Sequence, residues 1–411
     1  MTEKLKNMYA LMGYNFPLLI AFLLPFGINY AIFIIIWLLA FLAFDQTKTA
    51  LKVAFKNKWL YPFLLFFLIH SITYFISANK HDALNAIEIK LSFLAFPILI
   101  FSSNYDEVKL KKIMISFVSG CFLVSVFYLF RAFFLYFFEN TNAFFYTDFT
   151  YFMHPSYFAM YLVFAQLMVM LFYKDWLGHL TNLNFKIGFI SSIFLICIFL
   201  CSSKMGLITA GLFIPITAFS ILYKHGYKKT LLIVFGVFVL GIIIAYNLFP
   251  KPFERIKMAL TVSANANVID KTATESTAVR ILIWQESLNL VKENPVFGVT
   301  AGDVNDVLNK AYEQHGLTGA LQKKLNTHNQ YIQTLLGTGI VGFLLLLVFS
   351  IGPLIFGLIQ RNLLLVLFCG IIMLNYLVES MLQAQAGFIF IVFFSCLLLK
   401  YNLSKLTLNS D

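Results

Sequence analysis

The sequence predicts an all-α, polytopic membrane protein with about twelve transmembrane helices and a large helical external loop between spans nine and ten. Three observations predict it. The 411 residues are 60% hydrophobic and only 12% charged, with mean hydropathy +0.82, whereas about a quarter of a soluble domain is charged. Apolar stretches long enough to cross about 30 Å of hydrocarbon recur along the whole chain. Lysines and arginines fall on alternating connections, as the positive-inside rule requires.

The spans lie near 14–26, 29–44, 60–77, 86–101, 112–137, 151–173, 186–201, 205–223, 230–249, 331–358, 363–379 and 386–401. Pro25, Gly27 and Asn29 interrupt what would otherwise be one over-long helix, so the first two spans form a tight hairpin. No cleavable signal peptide is expected, because the first apolar run leads directly into the second. With the N-terminus cytoplasmic, the cytoplasmic segments collect 17 of the 30 basic residues and 6 acidic ones. That excess equals the whole net charge of +11. The basic balance therefore reports topology, and no nucleic-acid partner is implied. The five cysteines all fall in or beside spans, so no disulfide framework is expected.

The chain divides into 1–249 (spans one to nine), 250–328 (the external loop) and 329–411 (spans ten to twelve). A loop of such length is functional or disordered, and composition favours order. "TAVRILIWQESLNLVKENPVFG" reads as a helix from about Ala278 to Lys292, stopped before Asn294-Pro295. "AGDVNDVLNKAYEQHG" gives a second, with Val304, Val307, Leu308, Ala311 and Tyr312 on one stripe and Gly316 as its stop.

Ionisable groups at the edge of a span are costly and therefore functional candidates. Lys204, Arg280, His328, Glu379 and His154 all fall at the external surface, by an orientation assigned from other residues. For Lys204 alone, snorkelling is the simpler account. Stacking on Trp284 accounts for Arg280 about as well as a ligand does. Glu379 and His154 are more often structural partners of a neighbouring helix than catalysts. Arg131 and the Glu88/Lys90 pair read as internal or interfacial ion partners without chemistry. Gly337, Gly339 and Gly342 spell G-x-G-x-x-G. A dinucleotide fingerprint needs a preceding strand, and here the run continues into apolar helix, so the glycines are assigned to close helix packing. No phosphate-binding loop, zinc-hydrolase motif or nucleophile elbow is present.

"AVRILIWQESLNLVKENPVFGVTAGD" followed by "THNQYIQTLLGTGIVG", roughly residues 277 to 342, resembles the O-antigen ligase and polymerase family of bacterial surface-glycan assembly. The resemblance implies transfer of a glycan from undecaprenyl diphosphate to an acceptor sugar at the periplasmic face of the inner membrane. For a ligase the acceptor is the lipid A–core oligosaccharide. Arg280 matches the family's loop arginine and His328 its histidine. Lys204, in Ser203-Lys204-Met205-Gly206, stands where the family has arginine, keeping the charge without the bidentate geometry.

The scheme this implies makes His328 the general base and Arg280 the catalytic cation. Lys204, Trp284, Asn329, Tyr331, Glu379 and His154 are placed on substrate, and neither cofactor nor metal is called for. The expected partners are the lipid-linked donor, the lipid A–core acceptor and membrane lipids. An O-antigen polymerase or a protein O-oligosaccharyltransferase uses the same chemistry on another acceptor. A lipid-linked sugar transporter is the non-enzymatic alternative, disfavoured because the costly polar groups gather at one surface and not at mid-membrane.

Overall fold

The computed structural model describes residues 15–43, 47–177, 183–224 and 277–401, with isolated positions 236, 271, 272 and 274. Every described element is helical. In chain order they are α1 (Asn15–Phe26), α2 (Ala31–Leu42), α3 (Thr47–Lys56), α4 (Leu60–Ile76), α5 (Lys80–Lys90), α6 (Ser92–Ser102), α7 (Glu107–Phe138) and α8 (Pro155–Leu177). There follow α9 (Leu183–Leu200), α10 (Lys204–Lys224), α11 (Thr277–Glu293), α12 (Val304–His315), α13 (Thr318–Lys323), α14 (Gln330–Ile359), α15 (Leu363–Tyr376) and α16 (Gln385–Lys400).

Helices occupy all the expected spans except 230–249, which lies outside the described residues apart from position 236, as does the start of the loop apart from positions 271, 272 and 274. Among the described residues, five helices are long and apolar enough to cross a membrane: Lys80–Ser102, Glu107–Phe138, Pro155–Lys174, Lys204–Tyr223 and Gln330–Ile359. The count rises to six if the bent pair α2–α3 is one span. The remaining apolar helices are shorter. Helix α3 fills the connection between the second and third expected spans. It carries Lys48, Lys52 and Lys56 on one side and buries Ala54 on the other, and Thr47 Oγ1 donates to Phe41 O (2.7 Å) across the bend.

The hairpin α1–α2 turns as composition predicts: Pro25 sits in a short 3-10 turn, Gly27 adopts φ 60°, and Asn29 Oδ1 accepts the Ala31 N–H (3.0 Å). Aromatic and aliphatic side chains of α4, α6, α7, α8, α15 and α16 fill a continuous core. Outward positions stay apolar (Ile35, Phe130, Phe137 and Leu344 are exposed), as lipid contact requires. Opposite ends of the bundle are marked by hydrogen bonds. At one, Lys400 and Tyr401 bond the main chain around Ser103 and Tyr105. At the other gather the α1–α2 turn, the α4–α5 turn, the starts of α8, α10 and α14, and the α15–α16 connection.

At this second end, α11, α12 and α13 form a small cap with its own core: Val279, Ile283, Val304, Leu308, Tyr312, Leu317 and Ala320 around Leu336 of α14. Gly316 stops α12 in the left-handed conformation, as expected. Asp303 fixes the cap to the bundle, its carboxylate accepting from the main-chain N–H groups of Ala78 (3.0 Å) and Asn79 (2.7 Å) and from the Thr300 hydroxyl (2.7 Å). With its proton spent on Asp303, Thr300 accepts from Ser77 (2.6 Å). Burial raises the Asp303 pKa, but these donors and the Lys80 charge outweigh it and hold the carboxyl below its ordinary 3.8.

The glycine run corrects the packing expectation. Gly339 has φ 63° and ψ −165°, a conformation open essentially to glycine alone, and it breaks α14. Into the break docks the Pro295–Val299 turn of the cap, not a neighbouring helix. Val299 N–H donates to Leu336 O (2.8 Å), and Ile340 N–H to Pro295 O (2.9 Å). A Cβ on Gly339 would lie 2.1 Å from Val296 O, and Gly298 (φ 69°) meets Leu336 O just as closely from the other side. Gly339→Ala is therefore expected to cost at least about 1–3 kcal/mol in strain. Gly211→Ala, on an exposed face of α10 with nothing near its Cβ, should gain up to about 1 kcal/mol. Thermal unfolding in detergent checks the pair, and equal shifts in the two variants would refute the docking role of the break.

Candidate functional site

The site assembles where the cap, the start of α14 and the connection from α15 to α16 meet. Asn329 caps α14, its Oδ1 accepting the Ile332 N–H (3.1 Å), so His328 immediately precedes the cap. His328 holds φ 45°, uncommon for a non-glycine residue, and its N–H bonds Asn326 Oδ1 (2.9 Å). Thr327 is wholly buried and fixes this turn. Its hydroxyl lies 2.9 Å from Gln333 Oε1 and 3.2 Å from Ser380 Oγ, and its carbonyl accepts the indole N–H of Trp284 (2.7 Å).

Glu379 stands opposite on the residues that follow α15, and is buried. Its Oε2 is 3.3 Å from His328 Nδ1, and its Oε1 is 3.4 Å from Arg280 NH2. Arg280, one turn into α11, also donates through NH1 to Val378 O (2.8 Å). Burial by itself raises the Glu379 pKa. The hydrogen bond from His328 and the charges of Arg280, His328 and His154 more than compensate, holding the carboxyl below its ordinary 4.5. An ionised carboxylate only accepts hydrogen bonds, so Nδ1 of His328 carries the proton towards it. In the neutral ring Nε2 is then left with a lone pair. This is the arrangement in which a carboxylate orients an imidazole for proton abstraction.

The other predicted residues divide. His154 opens α8, exposed, with Nδ1 accepting the Ser156 N–H (3.3 Å) and Nε2 3.4 Å from the Tyr146 hydroxyl; its charge is felt at Glu379. Lys204 opens α10 at the same end of the bundle, where Gly206 packs on Ala159 of α8. Trp284, Asn329 and Tyr331 are engaged inside the protein. The indole N–H is spent on Thr327. Asn329 Nδ2 donates to Leu377 O (3.1 Å). The Tyr331 hydroxyl reaches Met373 O (3.3 Å), with its ring edge-on to Tyr376. Arg280 is directed to Glu379 and Val378 and not to a stack on Trp284.

Two expectations about ion pairs are corrected. Glu88 and Lys90, two residues apart on a helix, face opposite ways: Glu88 is exposed and Lys90 buried, donating to Leu382 O (3.1 Å). Arg131 donates to the Asp148 carbonyl (2.7 Å) and lies over the Tyr151 ring. The five cysteines are free and buried.

Residues 189–347 match the family described as O-antigen ligase. Over this region the chain is similar to that family. The match spans α9 to α14 and includes Lys204, Arg280 and His328, whereas Glu379, His154 and Lys90 lie outside it. No curated protein matches the chain. Within the matched region and its surroundings, sequence reading missed Thr327, Ser380, Gln333 and Gln330. The signal was present in Gln330, Gln333, Thr334 and Thr338, a polar stripe at helical spacing on an otherwise apolar helix, all buried.

The depressed carboxyl of Glu379 gives a signed expectation. Stability from its pairing is full above the ordinary carboxylate value of 4.5 and is lost as pH falls through the lower folded value. Removing one partner of such a buried pair costs about 3–5 kcal/mol. Glu379→Ala should thus unfold well below wild type at pH 7. The gap, read by melting in detergent, should narrow only below pH 4.5; a gap independent of pH would refute the assignment.

Proposed function

We propose that the protein is an O-antigen ligase-type glycosyltransferase, moving a glycan from undecaprenyl diphosphate to the lipid A–core oligosaccharide at the periplasmic face of the bacterial inner membrane. Both termini are cytoplasmic in this reading, and the capped end of the bundle is periplasmic. The convergence of Arg280 and His328 on the buried carboxylate of Glu379 carries it. These three residues come from the cap, the head of α14 and the residues following α15.

An acceptor hydroxyl attacks the anomeric carbon of the donor as its bond to the phosphate oxygen breaks. The electron pair departs with the undecaprenyl diphosphate, the hydroxyl proton passes to His328 Nε2, and the anomeric centre inverts. Glu379 holds the imidazole in the tautomer this needs and stabilises the imidazolium that forms. Arg280 keeps N–H groups beyond the two engaged by Val378 and Glu379, and these meet the negative charge growing on the diphosphate. Lys204 at the head of α10 adds a second positive charge at this end of the bundle. Trp284 and Asn329 act through the turn that carries His328. No metal enters this scheme.

His328→Ala should lower transfer by roughly 10²–10⁴-fold, and Arg280→Ala by roughly 10²–10³-fold. The assay uses purified protein with lipid-linked donor and lipid A–core in detergent. Transfer by His328→Ala at the wild-type rate would refute the base. A deletion strain examined by lipopolysaccharide gel assigns the acceptor. Loss of all polymeric O-antigen from core supports the ligase, and core bearing a single repeat indicates a polymerase. Unchanged lipopolysaccharide with under-glycosylated proteins indicates a protein acceptor.

A further inference from the structure

Lys90 is an amine in an expensive place. It ends α5 only 1% exposed, so its Nζ cannot snorkel to water. It joins no ion pair among the described residues, and its hydrogen-bond acceptor is the carbonyl of Leu382, 3.1 Å away. The nearby titratable group is His70 of α4, a neighbour by charge, whose Nδ1 donates to Phe66 O within its own helix (2.8 Å). Burying an amine that makes a single hydrogen bond costs stability, and a methionine would fill the slot at less cost. What the amine achieves lies at Leu382.

Leu382 sits in the single turn Met381–Gln383, three residues beyond Glu379. It is held twice. Lys90 grips its carbonyl, and its N–H donates to Gln330 Oε1 (2.7 Å), in the first turn of α14 and two residues after His328. Gln330 is itself fixed, its Nε2 donating to Thr334 Oγ1 (2.9 Å). Nearer Glu379, the same connection is tied by Asn329 at Leu377, Arg280 at Val378 and Thr327 at Ser380. All three come from the cap or the α14 head. Lys90 supplies the tie to α5, on the membrane side of the bundle.

We propose that Lys90, acting with Gln330, is a positioning residue: by clamping Leu382 it fixes the carboxylate of Glu379 against His328. This rests on the ligase reading for its kinetic consequence but not for its structural one. The Glu379 carboxylate contacts His328 and Arg280 through side-chain hydrogen bonds of 3.3–3.4 Å, long enough that a small shift of its backbone would break them.

The test uses the full chain with Lys90→Met, Gln330→Met and the double variant. Each single should lower kcat roughly 10- to 100-fold, the effect of a displacement near 1 Å, with KM for donor and acceptor unchanged. The double should be no worse than the weaker single, because both residues serve one clamp. A second readout needs no turnover. In a Gln383→Cys background, with the five native cysteines buried, a charged maleimide should label the new thiol several-fold faster once Lys90 is methionine. Unchanged kcat in both singles, or a loss of kcat without faster labelling, would overturn the proposal. If Lys90→Met does not fold, Gln330→Met carries both readouts with the same outcomes. Failure of the ligase reading looks different: the wild-type protein transfers nothing, and the labelling rates still decide on Lys90.

Discussion

The Glu379 carboxylate is a charge buried where water cannot solvate it, and the surrounding chain is arranged to satisfy it. Neither α15 nor the turn after it supplies a cation. A cation comes from α11 as Arg280 and a ring N–H from the head of α14 as His328, so a single ionised oxygen pair draws together three parts of the chain distant in sequence. Every other tie around it serves the same end. Trp284 holds Thr327, Thr327 meets Ser380, and Asn329 holds Leu377. These bonds are individually modest, about 1 kcal/mol each, but they fix the geometry of a group whose misplacement would strand charge in a low-dielectric interior.

The cap is joined to the bundle by two unlike devices. At α4–α5 it is attached by a carboxylate, Asp303, receiving two main-chain N–H groups at a helix start, where charge complements the exposed amides. At α14 it is attached by main chain alone, through the turn seated in the break at Gly339. The first depends on charge, so it weakens once the carboxylate is protonated. The second depends on shape and does not titrate. The site lies between them.

Much of the cap was legible in the sequence because its signals are local. The stripe of Val304, Leu308, Ala311 and Tyr312, the Gly316 stop and the Asn294-Pro295 boundary each specify structure within one or two turns. What failed was whatever depended on contacts made far along the chain. Gly339 looks like a packing glycine until Val296, more than forty residues earlier, is seated against it. Glu88 and Lys90 look like partners in the sequence but lie on opposite faces of one helix. The carbonyl that holds Lys90 belongs to Leu382, nearly three hundred residues away. His328 and Arg280 were recognisable from motif, but the carboxylate that joins them follows another helix and required the fold.

The break in α14 bears on how the protein is made. A continuous apolar helix can enter a bilayer alone, all its main-chain groups paired within itself. Here the carbonyl of Leu336 and the amide of Ile340 find partners in the turn at Pro295–Val299. That turn is synthesised before α14, so its pairing groups already exist when this helix leaves the ribosome. A circular permutant that placed the cap after α14 would require the helix to be inserted with those main-chain groups unsatisfied. The order of segments along the chain is thus part of what allows this helix to be broken.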